Sequence, residues 1–426
     1  MATSHLPDRM STTPLPEGTP QVCVARQPIM DLKNQVFGYE LLYRAAFGDT
    51  SWAGGPGDQA SARVLNDALL SLGLETLTSG KFAFLNVSHQ VLLQDVVTVL
   101  PPEGIVVELL ENIPATPEVE DACRSLQKRG YAIALDDFTP GCPAEALLPY
   151  AKYVKIDLLS TPPDQFAPLA SRLLKSKLRL LAEKVETAEA LKIASQAGCT
   201  LFQGYYFCKP TTYARGTMAP RKLAYLRLLA ALNRPNVTVG SLEEIIKQDA
   251  SFSYRVLRSA NSAAFGLRQT VRSIHEALIL IGQDRVRKWA SIWAMAGMSD
   301  GVTPELVNIT ILRARCCELL GQSSTLTQEG SDHFLLGLCS LLDVILGKPM
   351  NLALEDLPLS TETRAALLGG DNPERHILDA VTAYERGAFE AAANAAAHGG
   401  VDADMLPDAY ASALKWVWSL ARSQAA

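Results

Sequence analysis

Between residues 22 and 210 the chain repeats one unit. A short run rich in β-branched and aromatic residues is followed by a longer stretch with helical apolar spacing, and then by another run. The runs fall at 22–26, 36–42, 82–85, 105–109, 132–135, 153–156, 178–182 and 201–202. Helix-like segments occupy 61–72, 117–129 and 187–197; the last two stop at Gly130 and Gly198, the residue type that most readily closes a helix. Strand–helix–strand repetition implies a mainly parallel sheet, because parallel neighbours need a long crossover between them. Eight such runs suffice to close a (β/α)8 barrel.

Polar residues recur where these runs end: Glu40, Asn86, Glu108, Asp136, Asp157, Glu183 and Gln203. After Asn86 they are spaced 22, 28, 21, 26 and 20 residues apart, about one strand–helix unit each. In a (β/α)8 barrel the C-terminal strand ends converge on one face, where active sites sit. One acid at a strand end is usually a solvated carboxylate, but random surface acids do not fall at the same end of successive strands. Hard oxygen ligands suit Mg²⁺ or Mn²⁺ and do not suit zinc. Lys155 stands two residues before Asp157 and so points to the same side of its strand. Oxygen ligands with a Lys are the equipment of metal-assisted phosphodiester hydrolysis: cations clamp the attacking and leaving oxygens, and the Lys neutralises phosphate charge or orients a water.

After Tyr213 the β pattern stops. Helical segments follow at 222–232, 242–248, 253–259, 274–280, 284–295 and 304–319, then a nearly all-apolar one at 335–346, an Ala-rich one at 374–397 and a last one at 411–422. The expected division is a disordered leader at 1–20, a barrel at 21–212 and an all-α half at 213–426, with the boundary in the polar link at 211–220. The leader is polar with four prolines, so it is no secretory signal, and no apolar run approaches the ~20 residues that span a bilayer. A net charge of −6 excludes bulk basicity of the nucleic-acid-binding kind. The eight cysteines form no Cys-x-x-Cys pair, which points away from zinc fingers and disulfide scaffolds and toward a cytoplasmic protein.

The first half resembles an EAL domain, the fold of cyclic di-GMP phosphodiesterases. The strings that carry the resemblance are Tyr39-Glu40-Leu41-Leu42-Tyr43-Arg44, Leu85-Asn86-Val87-Ser88, Glu108-Leu109-Leu110-Glu111, Asp136-Asp137-Phe138, Val154-Lys155-Ile156-Asp157, Ala182-Glu183-Lys184-Val185-Glu186 and Gln203-Gly204-Tyr205. The resemblance implies a modified TIM barrel in which Glu40, Asn86, Glu108 and Asp136 hold a first metal, and Asp137 and Asp157 serve a second. It places Lys155 and Glu183 at the nucleophilic water, Gln203 as an orienting group, Arg44 on the dinucleotide phosphate and Glu111 as a brace for the loop after Asp136. It implies Mg²⁺ or Mn²⁺ as cofactor.

Three departures stand out. Leu42 replaces the Ala of the signature triplet. The loop that the family writes Asp-Asp-Phe-Gly-Thr-Gly-Tyr-Ser-Ser-Leu runs here as Asp136-Asp137-Phe138-Thr139-Pro140-Gly141-Cys142-Pro143, one glycine fewer and two prolines stiffer. Lys184 stands where the family has Gly.

The second half resembles an HDOD domain through 256–266 and through Ile274-His275-Glu276-Ala277-Leu278-Ile279-Leu280-Ile281-Gly282. Related HD phosphohydrolases need a His-Asp metal dyad, but this chain reads Gly337-Leu338-Cys339-Ser340-Leu341, so this half is expected to bind a protein rather than to do chemistry. His275 and His333 read as surface or packed residues. Residues 221–290 carry 12 Lys and Arg against 5 Asp and Glu, whereas 291–426 carry 8 against 17. This reads as one acidic and one basic face within a domain or as pairing between subdomains; the sharper alternative is an acidic partner docked on Arg255, Arg258, Arg268, Arg272, Arg285, Arg287 and Lys288.

The combined expectation is a cytoplasmic bacterial signalling protein. Its barrel binds cyclic di-GMP or is a pseudo-enzyme, because the altered loop argues against efficient turnover. An active Mg²⁺-dependent phosphodiesterase and a ligand-independent scaffold are the alternatives. The expected partners are cyclic di-GMP, a protein on the helical half and a second copy of the chain, with neither membrane nor nucleic acid.

Overall fold

The computed structural model describes residues 23–44, 73–204, 220–234, 237–248, 250–261, 271–298, 302–327 and 332–425. The expected leader, the 61–72 helix and the 211–220 link fall outside or largely outside the described residues.

Eight strands close a barrel in sequence order: β1 (Cys23–Asp31), β2 (Val36–Arg44), β3 (Phe82–Val87), β4 (Ile105–Leu109), β5 (Ala132–Leu135), β6 (Tyr153–Asp157), β7 (Arg179–Glu183) and β8 (Leu201–Phe202). The strands from β2 to β8 pair in parallel, while β1 runs antiparallel to both β2 and β8. The reason is local. Only residues 32–35 separate β1 from β2, too few for a crossover, and Asp31 Oδ1 accepts from the Lys33 and Gln35 amides to turn the chain back.

Alternate residues line the barrel interior. Ile29, Phe84, Val106, Ala134, Tyr153, Leu181 and Leu201 form a separate buried cluster inside it. Their neighbours Leu85, Val107, Leu135 and Leu180 face outward into the main core. There they meet helices α3 (Pro117–Lys128), α4 (Pro163–Lys175) and α5 (Ala188–Gln196), which follow the short α1 (Leu74–Thr78) and α2 (His89–Leu93). Helix α3 shows why this works: Thr116 caps it, Pro117 opens it, and Val119, Cys123 and Leu126 are buried on one face.

The all-α half comprises α6 (Pro220–Leu232), α7 (Val239–Lys247), α8 (Ala250–Ala260), α9 (Ile274–Ile281), α10 (Gln283–Gly297), α11 (Pro304–Gly321), α12 (His333–Cys339), α13 (Leu342–Leu346), α14 (Met350–Ala353), α15 (Thr361–Leu367), α16 (Pro373–Glu385), α17 (Phe389–His398) and α18 (Met405–Ala425). Two expected helices are broken. The 335–346 segment divides at Ser340–Leu341, and the 374–397 segment divides at Gly387, which takes φ 70° to turn the chain.

This half packs on the barrel beside its mouth. The Val24 amide donates to Tyr384 Oη (3.1 Å), Tyr39 Oη donates to the buried Glu305 carboxylate (2.9 Å), and Gln27 Nε2 donates to the Arg386 carbonyl (3.1 Å). The Arg26 guanidinium lies 4.3 Å above the Tyr39 ring. At the centre of the helical half, α11 crosses α12 so closely that a Cβ on Gly337 would stand 2.3 Å from the Arg313 carbonyl oxygen. Gly337→Ala is therefore expected to force the helices apart and cost about 1–3 kcal/mol, read as a lower melting temperature. An unchanged melting curve would refute the close approach.

Candidate functional site

The site is the next inward layer above the apolar floor. Two residues beyond Phe84 comes Asn86, and in the same way Glu108, Asp136, Lys155, Glu183 and Gln203 stand two residues beyond Val106, Ala134, Tyr153, Leu181 and Leu201. With Glu40 from β2, period-two alternation brings them to the mouth.

Lys155 is 1% exposed and sits among four carboxylates. Its Nζ lies 2.7 Å from Glu108 Oε1 and from Asp136 Oδ1, 2.8 Å from Glu183 Oε1 and 3.2 Å from Glu40 Oε2. Asn86 Nδ2 donates to Glu40 Oε1 (2.8 Å), and Gln203 Nε2 donates to Glu40 Oε2 (2.7 Å) and to Gln27 Oε1 (2.9 Å). Burial disfavours every charge here, and one ammonium cannot offset four acids. Burial therefore pushes Glu108 well up, raises Asp136 and carries Glu183 up to about 8. Burial opposes the Glu40 charge too, but Lys155 and the amides of Gln203 and Asn86 hold its carboxyl below the ordinary value. Lys155 itself is held well above its usual range by the acids around it, against its own burial.

Oxygens of Glu40, Glu108 and Asp136 come within 4.8 Å of one another. Glu108 Oε2 and Asn86 Oδ1 are buried without a hydrogen-bond partner. A hard divalent cation fits this oxygen-rich, negatively charged donor set.

The remaining expected site residues behave differently. Asp137 lines the cavity with a left-handed φ of 41°. Asp157 turns away from Lys155: Oδ1 accepts from the Leu159 amide (2.7 Å) and Oδ2 from Lys184 Nζ (2.6 Å). Arg44 ends β2 outside the cavity lining, with Nη2 3.6 Å from Glu390 Oε1 on α17. Glu111 lies half-buried after β4, also outside the lining. The loop after Asp137 has a different brace that sequence reasoning missed. Pro143 opens a 3-10 turn at Pro143–Tyr150, and the first acid within it, Glu145, accepts from the Gly141 amide and from Arg172 (2.6 Å).

Above this layer lies a cavity of about 820 Å³ that both halves line. The barrel contributes Asp136, Asp137 and Lys184; the helical half contributes Glu305, Arg313 and Arg386. Arg313 forks onto Glu385 at 2.7–3.1 Å. No local sequence signal marks these helical residues, because Tyr39 and Glu305 are 266 positions apart.

In the helical half, Leu341 is buried and Ser340 Oγ is 3.5 Å from Arg313 Nη1. His275 contacts Glu243 (2.8 Å), and burial lowers the pKa of His333. Of the basic stretch, Arg287 pairs with Asp284 (3.3 Å) and Asp332 (3.5 Å), and Lys288 with Glu318. Arg268 falls outside the described residues.

The raised Glu183 pKa has a sign that can be checked. The unfolded carboxyl titrates near ~4.3 and the folded one at about 8, so the folded state holds the extra proton between those values. Without divalent cations, stability is expected to be full below about pH 4.3 on this account and to fall as pH rises toward 8; Glu108 and Asp136 act in the same direction. Melting temperatures of the chelated protein across this range should decline, and Glu183→Gln should flatten the slope. A Glu183→Gln profile parallel to the parent's would contradict the assignment.

The chain matches the EAL domain family over residues 85–210 and the HDOD domain family over 220–345. It is 33% identical over 408 residues to the uncharacterized protein YuxH of Bacillus subtilis, covering 94% of this chain and 99% of that one. It is 31% identical over 395 residues to the cyclic di-GMP phosphodiesterase CdgJ of Vibrio cholerae, covering 92% and 91%. A shorter match, 33% identical over 122 residues, 26% of this chain and 24% of that one, links it to the probable cyclic di-GMP phosphodiesterase PdeG of Escherichia coli.

Proposed function

The chain belongs to the EAL–HDOD family of cyclic di-GMP signalling proteins, and from that membership we propose that its barrel is a divalent-cation-dependent phosphodiesterase opening cyclic di-GMP to the linear dinucleotide. The observation that carries this reading is the gathering of Glu40, Glu108, Asp136 and Glu183 within 3.2 Å of one buried Lys155. A bare barrel floor would have no reason to store so much uncompensated negative charge. The phosphodiesterase relative of matching length supports the reading.

When bound, Mg²⁺ or Mn²⁺ supplies Lewis-acid polarisation of the phosphodiester. Glu40, Asn86, Glu108 and Asp136 would hold it. Lys155 keeps the four carboxylates converged against their repulsion. Glu183 would take a proton from the attacking water at Oε2, a buried oxygen with no hydrogen-bond partner; a bound dication would favour the ionised carboxylate that this needs over the protonated form that burial promotes. Gln203 fixes the Glu40 carboxylate. The 820 Å³ cavity is of a size for a dinucleotide, and Arg44 would meet its phosphate only after leaving Glu390.

A second reading, binding without turnover, is favoured by the commitment of Asp157 to Lys184. Incubating the full chain with cyclic di-GMP and Mn²⁺ and following product by chromatography separates the two. Linear product is expected, lowered roughly 10²–10⁴-fold in Glu183→Gln and lost in Glu108→Gln. Saturable binding without product in the parent would favour the second reading.

A further inference from the structure

We propose that the Lys184 ammonium stands in place of a second divalent cation, so that the barrel mouth takes one metal ion rather than two; this rests on the reading that the oxygens around Glu108 hold the first. The EAL resemblance assigns Asp137 and Asp157 to a second metal and puts a glycine at position 184. Here Asp157, 5% exposed, has both carboxylate oxygens committed: Oδ1 to the Leu159 amide at 2.7 Å and Oδ2 to Lys184 Nζ at 2.6 Å. The Lys184 charge also faces Asp137 and Glu183. A positive charge thus already sits on the acids that a second cation would need.

The backbone supports a deliberate placement. Lys184 adopts φ 51°, a left-handed conformation that an L side chain occupies at a cost and glycine occupies freely. The next residue anchors the segment: the Val185 amide donates to the Gln203 carbonyl (3.0 Å), and Gly204 packs so closely that a Cβ there would lie 2.3 Å from the Val185 carbonyl oxygen. The lysine is therefore presented to the cavity from a segment clamped against β8.

The charge balance separates the two places. Around Lys155, four carboxylates face one ammonium, an excess of three acids that a dication only partly offsets. Around Lys184, Asp157 and Asp137 already face one ammonium, Glu183 being paired with Lys155, and a dication there would be repelled by a tethered cation that it could displace only by breaking the 2.6 Å pair.

Equilibrium dialysis of the full chain against Mn²⁺, with free metal read by electron paramagnetic resonance, tests this without using activity. The expected stoichiometry is one Mn²⁺ in the parent and two in Lys184→Gly, which suits the left-handed backbone. If that variant does not fold, Lys184→Asn, neutral and tolerant of the same φ, is expected to read two as well. Two ions in the parent would overturn the proposal and leave the first metal site intact. No ion in the parent would overturn the underlying reading and the proposal with it. One ion in both parent and variant would show that Lys184 does not decide the count, and would also overturn it.

Discussion

The interaction on which the rest of the structure depends is the single ammonium of Lys155 buried among Glu40, Glu108, Asp136 and Glu183. Each acid would be costly to bury alone, and one cation is too few for four. The folded chain manages the excess in two ways. Against burial, Lys155 and the amides of Gln203 and Asn86 hold the Glu40 carboxyl below its ordinary range, while burial pushes Glu108 and Glu183 up. Such a layer is electrostatically unfinished, and a divalent cation would complete it.

That layer exists only because the floor beneath it is rigid. Phe84, Val106, Ala134 and Tyr153 fill the barrel interior, so the next inward residue on each strand has nowhere to go but the mouth. The strand ends then set the distances, and the segments after β6 and β7 set the rest. Leu159 and Lys184 turn Asp157 away from the central cluster and so divide the acids into two groups with different charge balance.

The helical half completes the site from above. It brings Glu305, Arg313 and Arg386 to the same cavity, and it is fastened by hydrogen bonds to β1 and β2, the strands that begin and end at the rim. Because Glu390 on α17 faces Arg44 at the end of β2, any shift of this half would change the surroundings of that guanidinium. The helical half is thereby joined physically to the barrel that carries the acidic cluster.

Much of this was legible in the residues alone. The eight runs are strands because they are apolar on both faces. The candidate ligands were visible because polar residues recur at the ends of the strand runs, and Asn86, Glu108, Asp136, Glu183 and Gln203 each stand one inward step beyond an apolar strand residue, a relation set by backbone periodicity and hence local. The Lys184 departure was visible as well, though not what its side chain would reach. The helix break at Ser340 escaped a reading based on apolar content, since that content continues through the turn, and the break at Gly387 escaped it because the Ala-rich pattern resumes directly after it. Other features had no local signature: Lys184 reaching Asp157 across 27 residues, Tyr39 meeting Glu305 across 266, and Glu390 facing Arg44. Periodicity says which way a side chain leaves its own strand. What it meets there depends on the packing of segments far apart in the chain, and only the closed barrel with the helical half seated on it decides that.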